Sequence, residues 1–166
     1  GGHCYPAIAF LQACKNRHPD WTLTLAVDRG SRTLGLEQEA GAARSIAEIE
    51  SAKYAGPVSL VSPAFWGSLF RGFEGSRRLL RERHADAVVG FGGYGSFPVV
   101  WEAAALKVPT VIHEQNAIMG RANRVLARRA NHLAVSLPLA QPVGSRIPVT
   151  RTGFPLRSNL RRLDRH

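Results

Sequence analysis

Val108-Pro109-Thr110-Val111-Ile112-His113-Glu114-Gln115-Asn116 runs a short apolar stretch into four polar, hydrogen-bonding side chains, and a basic segment of helical character follows from Met119 to Arg129. A continuous apolar run of this length, opened by a proline and closed by polar residues, reads as a strand over 109–112 in a parallel sheet buried on both faces. The tetrapeptide then falls at the carboxyl edge of the sheet, where open α/β folds bind their ligands. The pattern occurs once more earlier in the chain, where Asp86-Ala87-Val88-Val89-Gly90-Phe91 runs into Gly92-Gly93-Tyr94-Gly95-Ser96. The chain itself opens on Gly1-Gly2-His3. Three strand-end loops, two rich in glycine and two carrying histidine, are expected to meet in one crevice.

Working outward, the alternation is regular: strand 86–91, helix 97–106, strand 109–112, helix 119–129, strand 131–135 and a last strand at 146–150. Such alternation with apolar strands predicts an α/β, Rossmann-like parallel sheet with helices on both faces. Toward the amino terminus, Ala7, Ile8, Leu11 and Cys14 give a helix from Pro6 to Arg17, with proline suited to its first turn. Trp21–Val27 reads as a strand ending at Asp28-Arg29-Gly30, Leu34, Leu36 and Glu37 as helix-like, Ala43–Ile49 as a weaker strand, and 51–63 as loop. A glycine loop feeding a helix ordinarily follows a strand. Because Gly1-Gly2 opens the chain without a Met, the first and central strand of the sheet is expected to be missing.

Composition bounds the function classes. At 166 residues and 45% hydrophobic content, the chain can bury the core of one domain. It contains no apolar run of the roughly 18–20 residues that a bilayer span needs. The formal net charge of +10 favours an anionic partner: a membrane surface, a phosphate-rich ligand or nucleic acid. Cys4 and Cys14, ten residues apart on one helix, stand about 15 Å from each other, too far for a disulfide. Without a Cys-x-x-Cys pair there is no metal-ligating pattern, and a reducing cytoplasm is expected.

Residues 64–83 combine aromatics and arginines. Phe65, Trp66, Leu69, Phe70 and Phe73 share a broad helical face extended by Leu80, while Arg71, Arg77, Arg78, Arg81 and Arg83 crowd the remainder. Gly67, Gly72 and Gly75 each weaken the helix by up to ~1 kcal/mol relative to alanine. The face is either a core contact or an interfacial patch, its aromatics dipping into the headgroup layer beside arginines that hold anionic lipid.

Taken together, Gly1-Gly2-His3, the run Gly90-Phe91-Gly92-Gly93-Tyr94-Gly95-Ser96-Phe97-Pro98, and the run His113-Glu114-Gln115-Asn116-Ala117-Ile118-Met119-Gly120-Arg121-Ala122-Asn123 resemble the MurG family of peptidoglycan glycosyltransferases. The resemblance implies a GT-B enzyme, two Rossmann-like domains around a cleft, of which this chain is the N-terminal half. Residues 1–150 would be the acceptor-side domain and 151–166 the start of the interdomain linker, with the C-terminal donor domain absent. The implied reaction is inverting transfer of N-acetylglucosamine from UDP-GlcNAc to the undecaprenyl-pyrophosphoryl-MurNAc-pentapeptide. It would proceed at the cytoplasmic face of the cell membrane, in the service of cell-wall synthesis, shape and division. UDP-GlcNAc is substrate, no cofactor is expected in this domain, and the partners are the lipid-linked acceptor, the anionic inner membrane surface and the donor domain. Two departures stand out. Only Gly-Gly-His remains of the family's Gly-Gly-Thr-Gly-Gly-His, and Gly153-Phe154-Pro155-Leu156-Arg157 carries Phe154 where the family has asparagine.

Sugar transfer by inversion needs a base for the acceptor hydroxyl and positive charge or N–H dipoles for the departing UDP. His3, in a glycine loop at a helix N-terminus, is one candidate base, since a positive helix end favours neutral imidazole. Glu114 is the other, or an orienter of a histidine. The resemblance assigns Gly1, Gly2, Asn116 and Arg157 to the donor. Gly92, Gly93 and Tyr94 would cradle the acceptor pyrophosphate through backbone N–H groups, with His113 and Gln115 beside them, His113 being equally suited to a structural bond. Arg121, Arg124 and Arg128, spaced i, i+3, i+7, form either a solvated face or a polyanion contact. Membrane contact falls to Phe65, Trp66, Leu69, Phe70 and Phe73.

Other functions compete. Asp28 ends a strand about 25 residues past the glycine loop, roughly where the ribose-binding acid of an NAD-binding Rossmann domain falls, but Gly-Gly-His does not spell Gly-x-Gly-x-x-Gly. A nucleic-acid module rests on charge alone, and no nucleic-acid partner is expected. A natural half-subunit that pairs with a separate donor-binding chain, as in split glycosyltransferases, is a third possibility.

Overall fold

The computed structural model describes residues 4–29, 45–54, 56–144 and 146–156. The expected glycine loop with His3, the helix-like stretch at 34–37, and Arg157 with the tail lie outside the described residues. The elements in order are α1 (Cys4–Arg17), β1 (Thr24–Asp28), β2 (Ser45–Ile49), a 3-10 helix (Pro57–Val61), α2 (Pro63–Glu82), β3 (Val88–Gly90), α3 (Ser96–Ala105), β4 (Thr110–Glu114), α4 (Arg121–Leu126), β5 (His132–Val135) and β6 (Val149–Arg151). Cys4 and Cys14 both lie on α1 and are free thiols.

All described strand pairs are parallel. They form two ladders, β1-β2 and β3-β4-β5-β6, rather than the one sheet expected. α3 packs on both β1 and β3 and so links the two ladders. The register Gly90↔Ile112, Glu114↔Val135 and Val135↔Arg151 brings the carboxyl ends of β3 to β6 onto one edge.

Side-chain alternation explains the helices on both faces. Leu25 and Val27 of β1 turn to Ile8 and Leu11 of α1. The intervening Ala26 joins Ile49, Leu80, Val99 and Ala103 on the opposite face. A third cluster, Val100, Ile112, Leu126, Leu133 and Val135, packs α3 and α4 against the four-stranded ladder. Lys15 and Arg17 close α1 in its last turn, where cations suit the negative end of the helix dipole.

Three expectations need correction. The strand expected over 109–112 runs on to Glu114, since Ile112, His113 and Glu114 pair with Leu133, Ala134 and Val135. Residues 57–61, read as loop, form a 3-10 helix opened by Pro57. The helix expected over 119–129 is regular only from Arg121 to Leu126. Beyond it the chain goes on in turns, with i→i+3 bonds from the Arg128 N–H to Val125 and from the Arg129 N–H to Leu126.

The apolar face of α2, read as either a core contact or an interfacial patch, is divided between packed and exposed residues. Gly72, Ser76 and Leu80 are buried, and a Cβ on Gly72 would stand 2.3 Å from the carbonyl oxygen of Glu50. Phe73 packs against Phe97 and Trp101, whereas Trp66 and Phe70 remain 53% and 65% exposed. Among the described residues no helix is long and apolar enough to cross a membrane.

Candidate functional site

The loops that leave β3, β4 and β6 are tied by side chains of the tetrapeptide. Gln115 Nε2 donates to the Phe91 carbonyl at 3.0 Å and lies 3.2 Å from His113 Nδ1. His113 Nε2 lies 3.3 Å from the Gly153 carbonyl, which also accepts a bond from Ser136 Oγ at 3.3 Å. With an amide N–H facing Nδ1 and a carbonyl facing Nε2, the imidazole fits as the neutral tautomer that carries its proton on Nε2. Burial pushes its pKa below the ordinary histidine value, outweighing the Gly153 carbonyl and the nearby Glu114 carboxylate. The His113 and Phe91 rings also meet at a tilt of 45°, their centres 5.5 Å apart. The loops after β3 and β4 thus share a rim. His3, the third member of the expected convergence, lies outside the described residues.

Glu114 is 2% exposed. Its Oε1 accepts from the backbone N–H and the side-chain amide of Asn116, at 3.0 and 3.2 Å. Its Oε2 accepts from the Gly120 N–H and Asn123 Nδ2, both at 2.9 Å. Asn123, itself buried, also donates to the His113 carbonyl at 3.1 Å. Of the tetrapeptide, only Asn116 is exposed.

The glycine-rich turn after β3 takes positive φ at Gly92 (81°) and Gly93 (79°), a region that side chains with a Cβ rarely adopt, which explains the pair. It presents Tyr94 45% exposed. The Tyr94 hydroxyl donates to the Tyr54 carbonyl at 2.9 Å, and the Arg121 guanidinium lies over the Tyr54 ring, 5.5 Å from its centre. Tyr54 also meets Phe65 edge-on. It therefore joins the turn, the basic helix α4 and the aromatic start of α2. No sequence signal marked Tyr54, which stands in irregular chain and owes its place to tertiary contacts.

The cations divide into paired and unpaired groups. Arg71 grips both oxygens of Glu50, at 2.8 and 2.9 Å, and Arg77 Nε meets the buried Glu102 at 2.7 Å. Arg121, Arg124 and Arg128 are exposed beside the crevice, with Arg124 Nη2 donating to the Met119 carbonyl at 3.3 Å. A cleft of about 400 Å³ opens between β2 and α2, lined by Arg29, Arg71 and Arg78 but also by Glu48, Glu50 and Glu74. Its carboxylates repel a pyrophosphate. Asp28, the candidate ribose ligand of a dinucleotide domain, accepts from Ser51 Oγ at 2.6 Å. Among the described residues no group of three or more His, Cys, Asp or Glu side chains is placed to hold a metal ion.

Comparison with known proteins fits this geometry. Residues 1–135 match the glycosyltransferase family 28 N-terminal domain. The UDP-N-acetylglucosamine–N-acetylmuramyl-(pentapeptide) pyrophosphoryl-undecaprenol N-acetylglucosamine transferase of Phenylobacterium zucineum is 38% identical over 98% of this chain and 44% of its own length. The enzyme of the same name from Bacillus pumilus is 35% identical over 96% of this chain and 43% of its own length. Among solved structures, the crystal structure of Acinetobacter baumannii MurG superposes with a TM-score of 0.70 at 26% identity, covering 89% of this chain and 41% of that one. The chain spans less than half the length of these relatives.

Proposed function

The chain belongs to the glycosyltransferase family 28 N-terminal domains, and from that premise we propose that it is the acceptor-side half of an inverting N-acetylglucosamine transferase. The donor is UDP-GlcNAc, the acceptor is undecaprenyl-pyrophosphoryl-MurNAc-pentapeptide, and the product is a peptidoglycan precursor. Residues 1–150 form the acceptor-side domain and 151–166 begin the linker to a donor-binding domain. The enzyme works peripherally on the cytoplasmic face of the membrane.

The observation that carries this reading is the bond from Gln115 to Phe91. It sets the glycine turn beside the tetrapeptide on one rim, as a site between a lipid pyrophosphate and a sugar nucleotide requires. The N–H groups of Gly92, Gly93 and Tyr94 receive the acceptor pyrophosphate, with Arg121 and Arg124 adding positive charge. His113 and Gln115 line this side of the crevice. Asn116 contacts the donor, together with Gly1, Gly2 and Arg157. His3 takes the proton of the attacking hydroxyl as the glycosidic bond forms, and UDP leaves with the electrons of the broken anomeric bond. Trp66 and Phe70, with Phe65 and Leu69 half-buried behind them, dip into the headgroup layer. Phe73 backs the patch from its contact with Phe97 and Trp101.

The test is a transfer assay on the chain joined to a C-terminal donor-binding domain. GlcNAc transfer to a lipid-pyrophosphate acceptor is expected from the joined protein and none from the 166 residues alone. Turnover by the bare chain would overturn the half-cleft reading. His3→Ala should lower turnover far more than UDP-GlcNAc binding, and the opposite pattern would remove His3 as the base.

A further inference from the structure

We propose that Glu114 is not the base of the reaction but a positioning residue, an ionised anchor that aims Asn116 at the donor. The inference rests on the transferase reading above and assigns a role within the same site. A carboxylate offers about four acceptor positions. All four on Glu114 are filled, two on each oxygen, by donors at 2.9–3.2 Å. A general base must turn a lone pair to the hydroxyl it deprotonates, within hydrogen-bond reach. Glu114, 2% exposed, has none left to turn.

The identity of the donors says what the carboxylate does instead. The Asn116 and Gly120 N–H groups bracket the loop between β4 and α4, so one side chain pins both of its ends. The Asn116 amide is held on the same oxygen as its own backbone N–H, which fixes the rotamer of the one exposed member of the tetrapeptide. Asn123 leaves its own Oδ1 buried without a partner while its Nδ2 serves Glu114 and the His113 carbonyl. A buried orphan acceptor is costly, and it is tolerated here in a residue whose donors are both in use. Each oxygen of Glu114 receives one backbone N–H, which cannot be flipped. A glutamine amide would therefore point its NH2 at a donor in either orientation, and only the carboxylate satisfies the loop.

The experiment has two arms. In the chain itself, amide hydrogen exchange of Asn116 and Gly120, which lie outside any helix or strand, is expected to be at least tenfold slower than in unstructured chain. Glu114→Gln should speed both by tenfold or more and leave Ile112 protected. In the protein joined to a donor domain, Glu114→Gln should raise the KM for UDP-GlcNAc and lower kcat, with the acid limb of the pH–kcat/KM profile left where it was. Exchange and donor KM unchanged in Glu114→Gln, with the acid limb gone, would overturn the proposal and restore Glu114 as the base. Should Glu114→Gln fail to fold, wild-type exchange still decides, since fast exchange at Asn116 and Gly120 refutes the anchor. Asn123→Ala, which removes a single donor from Oε2, should then give a milder acceleration at Gly120. A joined protein without transfer activity would count against the transferase reading, while the exchange arm would still judge the anchor.

Discussion

Three glycines on one helix should respond to alanine in three different ways. In a helix interior alanine is favoured over glycine by up to ~1 kcal/mol. A Cβ on Gly75 meets nothing within 4 Å, so Gly75→Ala should keep that gain, about 0.5–1 kcal/mol. A Cβ on Gly67 lies 3.3 Å from Arg71 Nη1, the end of a flexible side chain that grips Glu50. Part of the gain is lost in moving it, and Gly67→Ala should fall between the others. At Gly72 the new carbon would stand 2.3 Å from the Glu50 carbonyl oxygen and 3.6 Å from Pro98 Cβ. Close carbon–oxygen contacts run at ~3.3–3.6 Å, so the helix must retreat about 1 Å from the end of β2. Forcing an extra methyl group into packed structure costs about 1–3 kcal/mol, which outweighs the helical gain. Both variants share the helical gain, so Gly72→Ala should lie about 1–3 kcal/mol below Gly75→Ala. For a chain of this size that is a separation in Tm of roughly 2–12 °C. Urea unfolding midpoints and thermal melts followed by circular dichroism both read it. Gly72→Ala as stable as Gly75→Ala would refute the docking of α2 through its small residues.

Two further outcomes can be checked on the chain itself. Burial holds the folded pKa of His113 below its ordinary value, so the unfolded chain binds the proton first. The resulting stability is whole above pH ~6.5 and is lost as pH falls, by at most ~1.4 kcal/mol per pH unit. Unfolding free energies between pH 5 and 7 should fall less steeply in His113→Gln, and parallel curves would refute the neutral imidazole. Trp66 and Phe70 each leave on the order of 100 Å² of ring surface to solvent, ~2–3 kcal/mol apiece if transferred from water. The double alanine variant should weaken sedimentation with anionic vesicles at least roughly tenfold, since tenfold takes only ~1.4 kcal/mol. Unchanged binding would remove the patch as a membrane contact.

The sequence made the strand ends legible because apolar runs that stop at glycine or at polar clusters have few other readings. It misplaced the end of β4 for the same reason. His113 and Glu114 look like loop by polarity, and they stay in the ladder because their partners come from elsewhere in the fold: Gly153 for the imidazole, Asn116, Gly120 and Asn123 for the carboxylate. The apolar stripe of α2 was informative only in part. Periodicity marks the apolar face and with it the buried Leu80, whereas the close contact beside it is made by Gly72 and Ser76, whose value is closeness and not hydrophobicity. Tyr54 was out of reach altogether, since a hydroxyl bond from Tyr94 and a cation over its ring carry no spacing rule.

The burial of the tetrapeptide bears on how the site responds to its surroundings. His113, Glu114 and Gln115 spend their bonds inside the protein, and Asn116 alone is exposed. The four residues couple three strand ends through two short paths, Phe91–Gln115–His113–Gly153 and Gly120–Glu114–Asn116. The first needs imidazole that accepts on one nitrogen and donates on the other, and burial secures that neutral form. The second needs a charged group with every acceptor position occupied. A displacement of the segment at Gly153 is then carried by hydrogen bonds, within two side chains, to the backbone of the glycine turn. Segment 151–156, where the linker is proposed to begin, and the turn proposed for the acceptor pyrophosphate are not independent parts.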